Sequence, residues 1–138
     1  MSDININEAT AHPLAKFRNH LEFNGYNVQE QDDTSIGATH PRKVSLALTH
    51  LPDRGVYIAS YFNSKPSIAR QDMLEYINEL NSQFCFIKAY IDGENNLAFD
   101  TSYEGDYDRK NFSIILENID EDWKIFAVHK LTEKYLDY

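Results

Sequence analysis

Residues 43–63, KVSLALTHLPDRGVYIASYFN, decide how this chain is read. Val44, Leu46 and Leu48 alternate with Ser45, Ala47 and Thr49, the period-two signature of a strand with one buried face. The PDRG that follows is a turn with a mechanism: Pro52 presets φ, Asp53 tolerates a bend and Gly55 permits positive φ. Alternation resumes from Val56 to Phe62, so the segment is an antiparallel hairpin.

Working outward, AHPLAKFRNHLEFNGY (11–26) reads as a first helix. Pro13 suits its first turn, Gly25 suits the position just past its end, and Leu14, Phe17 and Leu21 share one stripe. YNVQEQ alternates weakly and pairs with TSIGATH across Asp32-Asp33. After the central hairpin, SKPSIARQDMLEYINELNS (64–82) is a second helix with Pro66 in its first turn. Its apolar face is Met73, Ile77 and Leu80 with Leu74 beside them. FCFIKAYID and NLAFDTSY are two further strands around GENN, where Gly93 and Asn95 allow left-handed backbone. A last long helix starts near Asp108, with Phe112, Ile115, Leu116, Ile119, Trp123 and Phe126 along one side. Helices separating groups of hairpin-linked strands imply an α+β fold. The expected architecture is an antiparallel sheet of about five strands packed with three helices, in the order α-β-β-β-α-β-β-α. It forms a single domain over 12–138 behind a flexible segment at 1–11.

The chain has 138 residues, net charge −9 and a single cysteine. Residues 91–138 carry −7 of that charge and the rest −2. A field of this sign repels phosphate backbones and argues against sequence-independent nucleic-acid binding. No apolar run approaches the ~20 residues of a membrane helix. The first residues, MSDININEATAHP, have neither the basic nor the apolar region of a secretory signal, and a cytoplasmic protein is expected. A lone cysteine fits a reducing compartment; within FCFIKAY, Cys85 reads as a small buried hydrophobe rather than a thiolate.

The acidic stretch YIDGENNLAFDTSYEGDYD (90–108) raises the question of a cation site. Counted from Asp92, Glu94 and Asn96 fit positions 3 and 5 of a calcium loop, but position 6 is Leu97 and position 12 is Tyr103, so the pattern fails. Asp106 or Asp108 is better read as the cap of the last helix. The histidines, at 12, 20, 40, 50 and 129, lack zinc spacing and read as surface residues. Glu75, Glu79 and the Asp-Glu-Asp of 120–122 read as solvated helix faces. An enzyme would need a polar pocket holding two of His40, His50 and Glu30 within hydrogen-bond reach, His40 and His50 being the pair that could approach across the sheet. No phosphate-binding, dinucleotide or nucleophile-elbow motif is present. No catalytic residue, metal ligand or cofactor is expected.

MLEYINELNSQFCFIKAYIDGENNLAFDTSYEGDYD (73–108) resembles the signature region of the YbjN-type bacterial proteins. The pattern is Ile77-Asn78 and Leu80-Asn81, an aromatic-rich strand over Phe84–Ile91, a polar turn at Asp92-Gly93, and Leu97. LEFNGY, closing the first helix at Gly25-Tyr26, is similar to the family's opening. The resemblance spans most of 12–127. It implies the fold of type III secretion chaperones, which are small acidic proteins, often dimeric, that bind other polypeptides. The family is one of proposed bacterial sensory transduction regulators, so the resemblance implies a non-enzymatic, protein-binding role and supplies no catalytic residues.

If Val44, Leu46, Leu48, Val56, Ile58, Cys85, Ile87, Ala89 and Ile91 face the helices, alternation sends Tyr57, Tyr61, Phe84, Phe86, Lys88 and Tyr90 to the other side. That aromatic face, charged only at Lys88, either binds a partner protein or a second copy of the chain, or is second-face core under a terminal segment or the last helix. The alternative function is a small-ligand or cation sensor built on the acidic hairpin.

Overall fold

The computed structural model describes residues 11–137. The expected flexible segment at 1–11 therefore lies outside the described residues except for Ala11. Helix α1 (Ala15–Phe23) leads to strands β1 (Asn27–Asp32), β2 (Ser35–Thr39), β3 (Leu46–Leu51) and β4 (Gly55–Ser64). Helix α2 (Arg70–Gln83), strands β5 (Lys88–Ile91) and β6 (Leu97–Glu104), and the long helix α3 (Arg109–Val128) follow. A short helix α4 (Thr132–Tyr135) and strand β7 (Leu136–Asp137) end the described chain. The sheet is antiparallel, in the order β1-β2-β3-β4-β6-β5, with β7 pairing the end of β4. The fold is the expected α+β class with three main helices. The sheet has seven strands rather than about five, because both weakly alternating segments before Lys43 are strands and a two-residue strand closes the C-terminus.

The central hairpin has the expected register, with Leu48 opposite Ile58 and Leu51 opposite Gly55. Asp53 takes the left-handed conformation at φ 62°. Gly55 is required by proximity, since a Cβ there would collide with the Tyr103 carbonyl oxygen on β6. Gly25 closes α1 at φ 92°. Helix α2 starts at Arg70, later than expected, because β4 runs on to Ser64 and Pro66 lies in the turn between them.

One face of the sheet carries the core. Leu14, just before α1, and Phe17 and Leu21 within it meet Val28, Ile36, Leu48, Ile58 and the first half of α3 (Phe112, Leu116, Ile119). A second cluster joins Met73, Tyr76, Ile77 and Leu80 of α2 to Ala89, Leu97, Phe99 and Phe126. Phe62 and Trp123, stacked with ring centroids 6.0 Å apart, border both clusters. Each fully buried aliphatic or aromatic side chain here contributes about 1.5–3 kcal/mol relative to exposure, so this single interface dominates the fold's stability.

Several polar residues sit where the sequence reading did not put them. Asp122, read as solvated, is 1% exposed. Its carboxylate accepts backbone N–H bonds from Cys85, Phe86 and Ile87 at 3.1, 2.7 and 2.9 Å. Residues 84–87 thus leave α2 as a pinned loop, not as a strand. Cys85 is consequently exposed rather than buried. His20, read as a surface residue, is buried, with Nδ1 2.8 Å from the Tyr107 hydroxyl and Nε2 3.2 Å from Ser113 Oγ. Burial first, and the Arg109 charge second, lower its pKa below the ordinary 6.5. Asp108 caps α3 as expected, accepting from the Asn111 N–H at 2.8 Å.

Candidate interaction face

Pairing and pleat fix which side chains occupy the sheet face turned away from the helices. Tyr61 and Tyr90 both pair with Ala98, placing Ala98 between them in one row across β4, β6 and β5. The next row is Ala59, Asp100 and Lys88, and Tyr57 lies opposite Ser102 beyond it. Small residues form the floor: Ala59 and Ala98 are only 2% exposed although no helix covers them, because the larger side chains of neighbouring rows shield them. The walls are open, with Tyr61 62% exposed and Tyr90 36%. Among the described residues no helix packs on this side, and α3 in particular packs on the opposite one. The last helix therefore does not cover this face, while residues 1–10, the terminal segment of the competing expectation, lie outside the described residues. The sheet continues past the tyrosines through Ala47 and Thr49 on β3 to Ser35 and Gly37 on β2, where the Gln31 side chain of β1 lies over Gly37.

The polar centre of the face is Asp100. The Tyr57 hydroxyl donates to Asp100 Oδ2 at 2.6 Å, and Lys88 Nζ lies 3.6 Å from Oδ1. Burial, then the hydrogen bond to Asp100, then interaction with the Tyr90 hydroxyl, push the Tyr57 phenol far above its ordinary range. Tyr61 is raised too, by burial and then by Tyr90 and Asp100. The Tyr57 and Tyr61 phenols therefore stay protonated beside one carboxylate. Each presents an apolar ring and a hydroxyl, a combination suited to a surface that is wet when free and covered when bound.

Of the six residues expected on this face, Tyr57, Tyr61, Lys88 and Tyr90 occupy it. Phe86 sits at its rim, 49% exposed, in a shallow depression of about 420 Å³ shared with Tyr57, Lys88 and Asp100. Phe84 does not belong there. It packs edge-to-face on Phe99 at 5.4 Å, on the helix-covered side, because strict alternation does not extend back into the loop that Asp122 holds. Asp100 was missed. The signal was available, since alternation along NLAFDTSY places Ala98, Asp100 and Ser102 opposite Leu97 and Phe99. The face is therefore charged at Asp100 as well as at Lys88.

The other candidates dissolve on geometry. His40 and His50 lie at opposite ends of the β2–β3 pairing, His40 beyond the Ala38–Leu46 pair and His50 beyond Ser35–Thr49. Glu30 is engaged with Arg18 at 3.2 Å. In the acidic hairpin, Asp92 Oδ1 accepts the Glu94 and Asn96 N–H groups at 2.9 and 3.0 Å, so its carboxylate shapes the turn. Among the described residues, no three His, Cys, Asp or Glu side chains converge as a metal site would require.

The edges of the sheet are treated differently. On β5, the Asn81 side chain takes the place of a neighbouring strand: its amide donates to the Ala89 carbonyl at 3.0 Å, and its oxygen accepts the Ala89 N–H at 2.8 Å. On β1 the pairing is interrupted by a register shift between Glu30 and Asp32. Both devices discourage edge-to-edge association. No described helix is long and apolar enough to cross a membrane.

No protein-family model matches the chain, and no curated protein matches it in sequence at a significant level. Among solved structures it is similar to YbjN from E. coli, a proposed transcription regulator. The TM-score is 0.70 at 12% identity, over 91% of this chain and 96% of that one. It is also similar to SpcU in the heterodimeric ExoU–SpcU complex of the Pseudomonas aeruginosa type III secretion system. There the TM-score is 0.55 at 15% identity, over 78% of this chain and 91% of that one. The chain thus has the YbjN-like, type III secretion chaperone-like fold expected from residues 73–108.

Proposed function

We propose that this chain is a non-enzymatic, single-domain protein-binding module of the cytoplasm. In this reading it takes another polypeptide on the sheet face that no described helix covers, with Tyr57, Tyr61 and Tyr90 as anchors and Lys88 and Phe86 at the rim. One observation carries the reading: a helix-free sheet face lined by partly exposed tyrosines around a paired carboxylate. SpcU, similar in fold, is found in a complex with another protein, ExoU, which supports polypeptide binding as a use of this architecture. Fold alone does not carry function, so the weight rests on the face.

The test is a photo-crosslinking residue placed at position 61 and, as a control, at Leu74, which is also exposed but lies on the helical side. Irradiation in the native cells should yield a defined adduct from position 61 and none from 74. A heavier adduct with a distinct protein identifies a partner, and one at twice the chain mass identifies a second copy. Equal, diffuse labelling from both positions refutes the assignment of the face.

A further inference from the structure

A cleft of about 500 Å³ lies between α1 and the start of α3, on a different part of the molecule from the tyrosine face. Its volume falls within the range of ordinary small-molecule sites, about 300–1,000 Å³. In a chain with 22 acidic and 13 basic residues, its lining is anomalous: Lys16 and Arg109 contribute to it, and no Asp or Glu does. Among the described residues, neither Lys16 nor Arg109 makes an ion pair. Asn19 and Asn24 add amide groups. The buried His20 holds the Tyr107 and Ser113 hydroxyls in the wall through its two ring nitrogens. At the mouth stands Phe23, 91% exposed, a ring that does nothing for the core.

We propose that this cleft binds a small phosphorylated molecule carrying a planar ring, the chemistry of a nucleotide. The phosphate lies between Lys16 and Arg109, on the side of the wall hydroxyls, and the ring stacks on Phe23; the Asp108 carboxylate already caps α3, so the two cations and not the helix end hold the anion. Arg109 supplies a planar fork suited to phosphate oxygens, and Lys16 a point charge. The absence of a lining carboxylate is what favours an anion over the cations that the rest of this acidic surface attracts.

The experiment is an amide-resolved NMR titration of the full chain with ADP, inorganic phosphate and adenosine as probes. ADP should shift the Asn19, Tyr107 and Ser113 amides saturably. Phosphate should move the same amides with lower affinity, and adenosine should leave them unmoved. The double variant Lys16→Glu/Arg109→Glu should weaken ADP at least tenfold without loss of folding, since an acid in the first turn of a helix is favourable. Phe23→Ala should weaken ADP and leave phosphate unchanged. The proposal is overturned if ADP shifts none of these amides at about 10 mM, a concentration at which even a millimolar ligand is bound. It is equally overturned if the double variant binds ADP as tightly as the original chain, or if adenosine binds as well as ADP. Equal affinities for phosphate and ADP would overturn the stacking of a ring on Phe23.

Discussion

Replacing Asp122 by alanine removes one side chain from the middle of α3 and should be felt in a segment more than thirty residues earlier. The carboxylate is almost fully buried and accepts three backbone N–H bonds, from Cys85, Phe86 and Ile87. Hydrogen bonds to a charged acceptor are worth about 1.5–3 kcal/mol each, but they do not add. After truncation, the Cys85 and Phe86 amides can recover water because those residues are exposed, whereas Ile87 is half-buried and recovers less. The removed carboxylate also recovers the desolvation cost it bore in the folded state. The net loss expected for Asp122→Ala is therefore about 3 kcal/mol, well below the gross sum. Asp122→Asn keeps one acceptor oxygen but turns an NH₂ toward an N–H donor, and should lose about 2 kcal/mol. Urea unfolding gives both numbers, with an unchanged m-value expected if only the folded state is affected. Amide exchange supplies the local readout: protection at 85–87 should fall while that of β2 and β3 stays tied to global unfolding. A loss under about 0.5 kcal/mol, typical of exposed surface positions, would refute the reasoning, because the clamp would then hold nothing.

Three further outcomes follow from single contacts. Asn81→Ala unpairs the Ala89 N–H and carbonyl at the β5 edge; it should cost about 1–2 kcal/mol in urea unfolding and raise concentration-dependent association seen by light scattering. Gly55→Ala forces a Cβ against the Tyr103 carbonyl oxygen and should lower stability by about 3 kcal/mol or more by calorimetry, more than Gly93→Ala, whose added Cβ meets nothing. His20 has a folded pKa below its unfolded value of 6.5, so its contribution is fully present above 6.5 and is lost as pH falls through the folded value. The melting temperature should accordingly drop between pH 7.5 and 5.5, and His20→Gln should flatten that drop; an identical slope in the variant would contradict it.

The helices and the central hairpin were legible because their cause is local. Apolar periodicity at Leu14, Phe17 and Leu21, alternation through Val44–Leu48, and turn chemistry at Pro52–Gly55 each act within a few residues. The residues that defeated the sequence reading act across the fold. Asp122 looks solvated beside Asp120 and Glu121, and only the docking of α3 over residues 85–87 makes its burial worthwhile. Phe84 looks like the start of an alternating strand, and the same docking turns it into the core. His20 lies on the apolar stripe of α1, but its partners Tyr107 and Ser113 are about ninety residues away. Most of the tyrosine-lined sheet face was legible, since Tyr57, Tyr61, Lys88 and Tyr90 depend only on alternation within strands. Its polar centre emerges only when β6 is projected with the same rule.

The size of the aromatic patch constrains how it binds. A tyrosine or phenylalanine presents about 200 Å² when fully exposed. At 62%, 36% and 49% exposure, Tyr61, Tyr90 and Phe86 together offer about 300 Å² for burial. At about 25 cal/mol per Å², covering them yields about 7 kcal/mol gross. Association alone costs about 4–15 kcal/mol, so three rings do not hold a partner stably by themselves. On the proposed reading, a partner that binds tightly must also contact the neighbouring strip of Ser35, Ala47 and Thr49, whose side chains are small, beside Gly37 with Gln31 over it. In the proposed reading the tyrosines serve as anchors at one end of a longer contact, while Asp100 is held by Tyr57 and Lys88. The modest apolar area, the charged pair at its centre and the blunted sheet edges beside it all disfavour nonspecific association through this face.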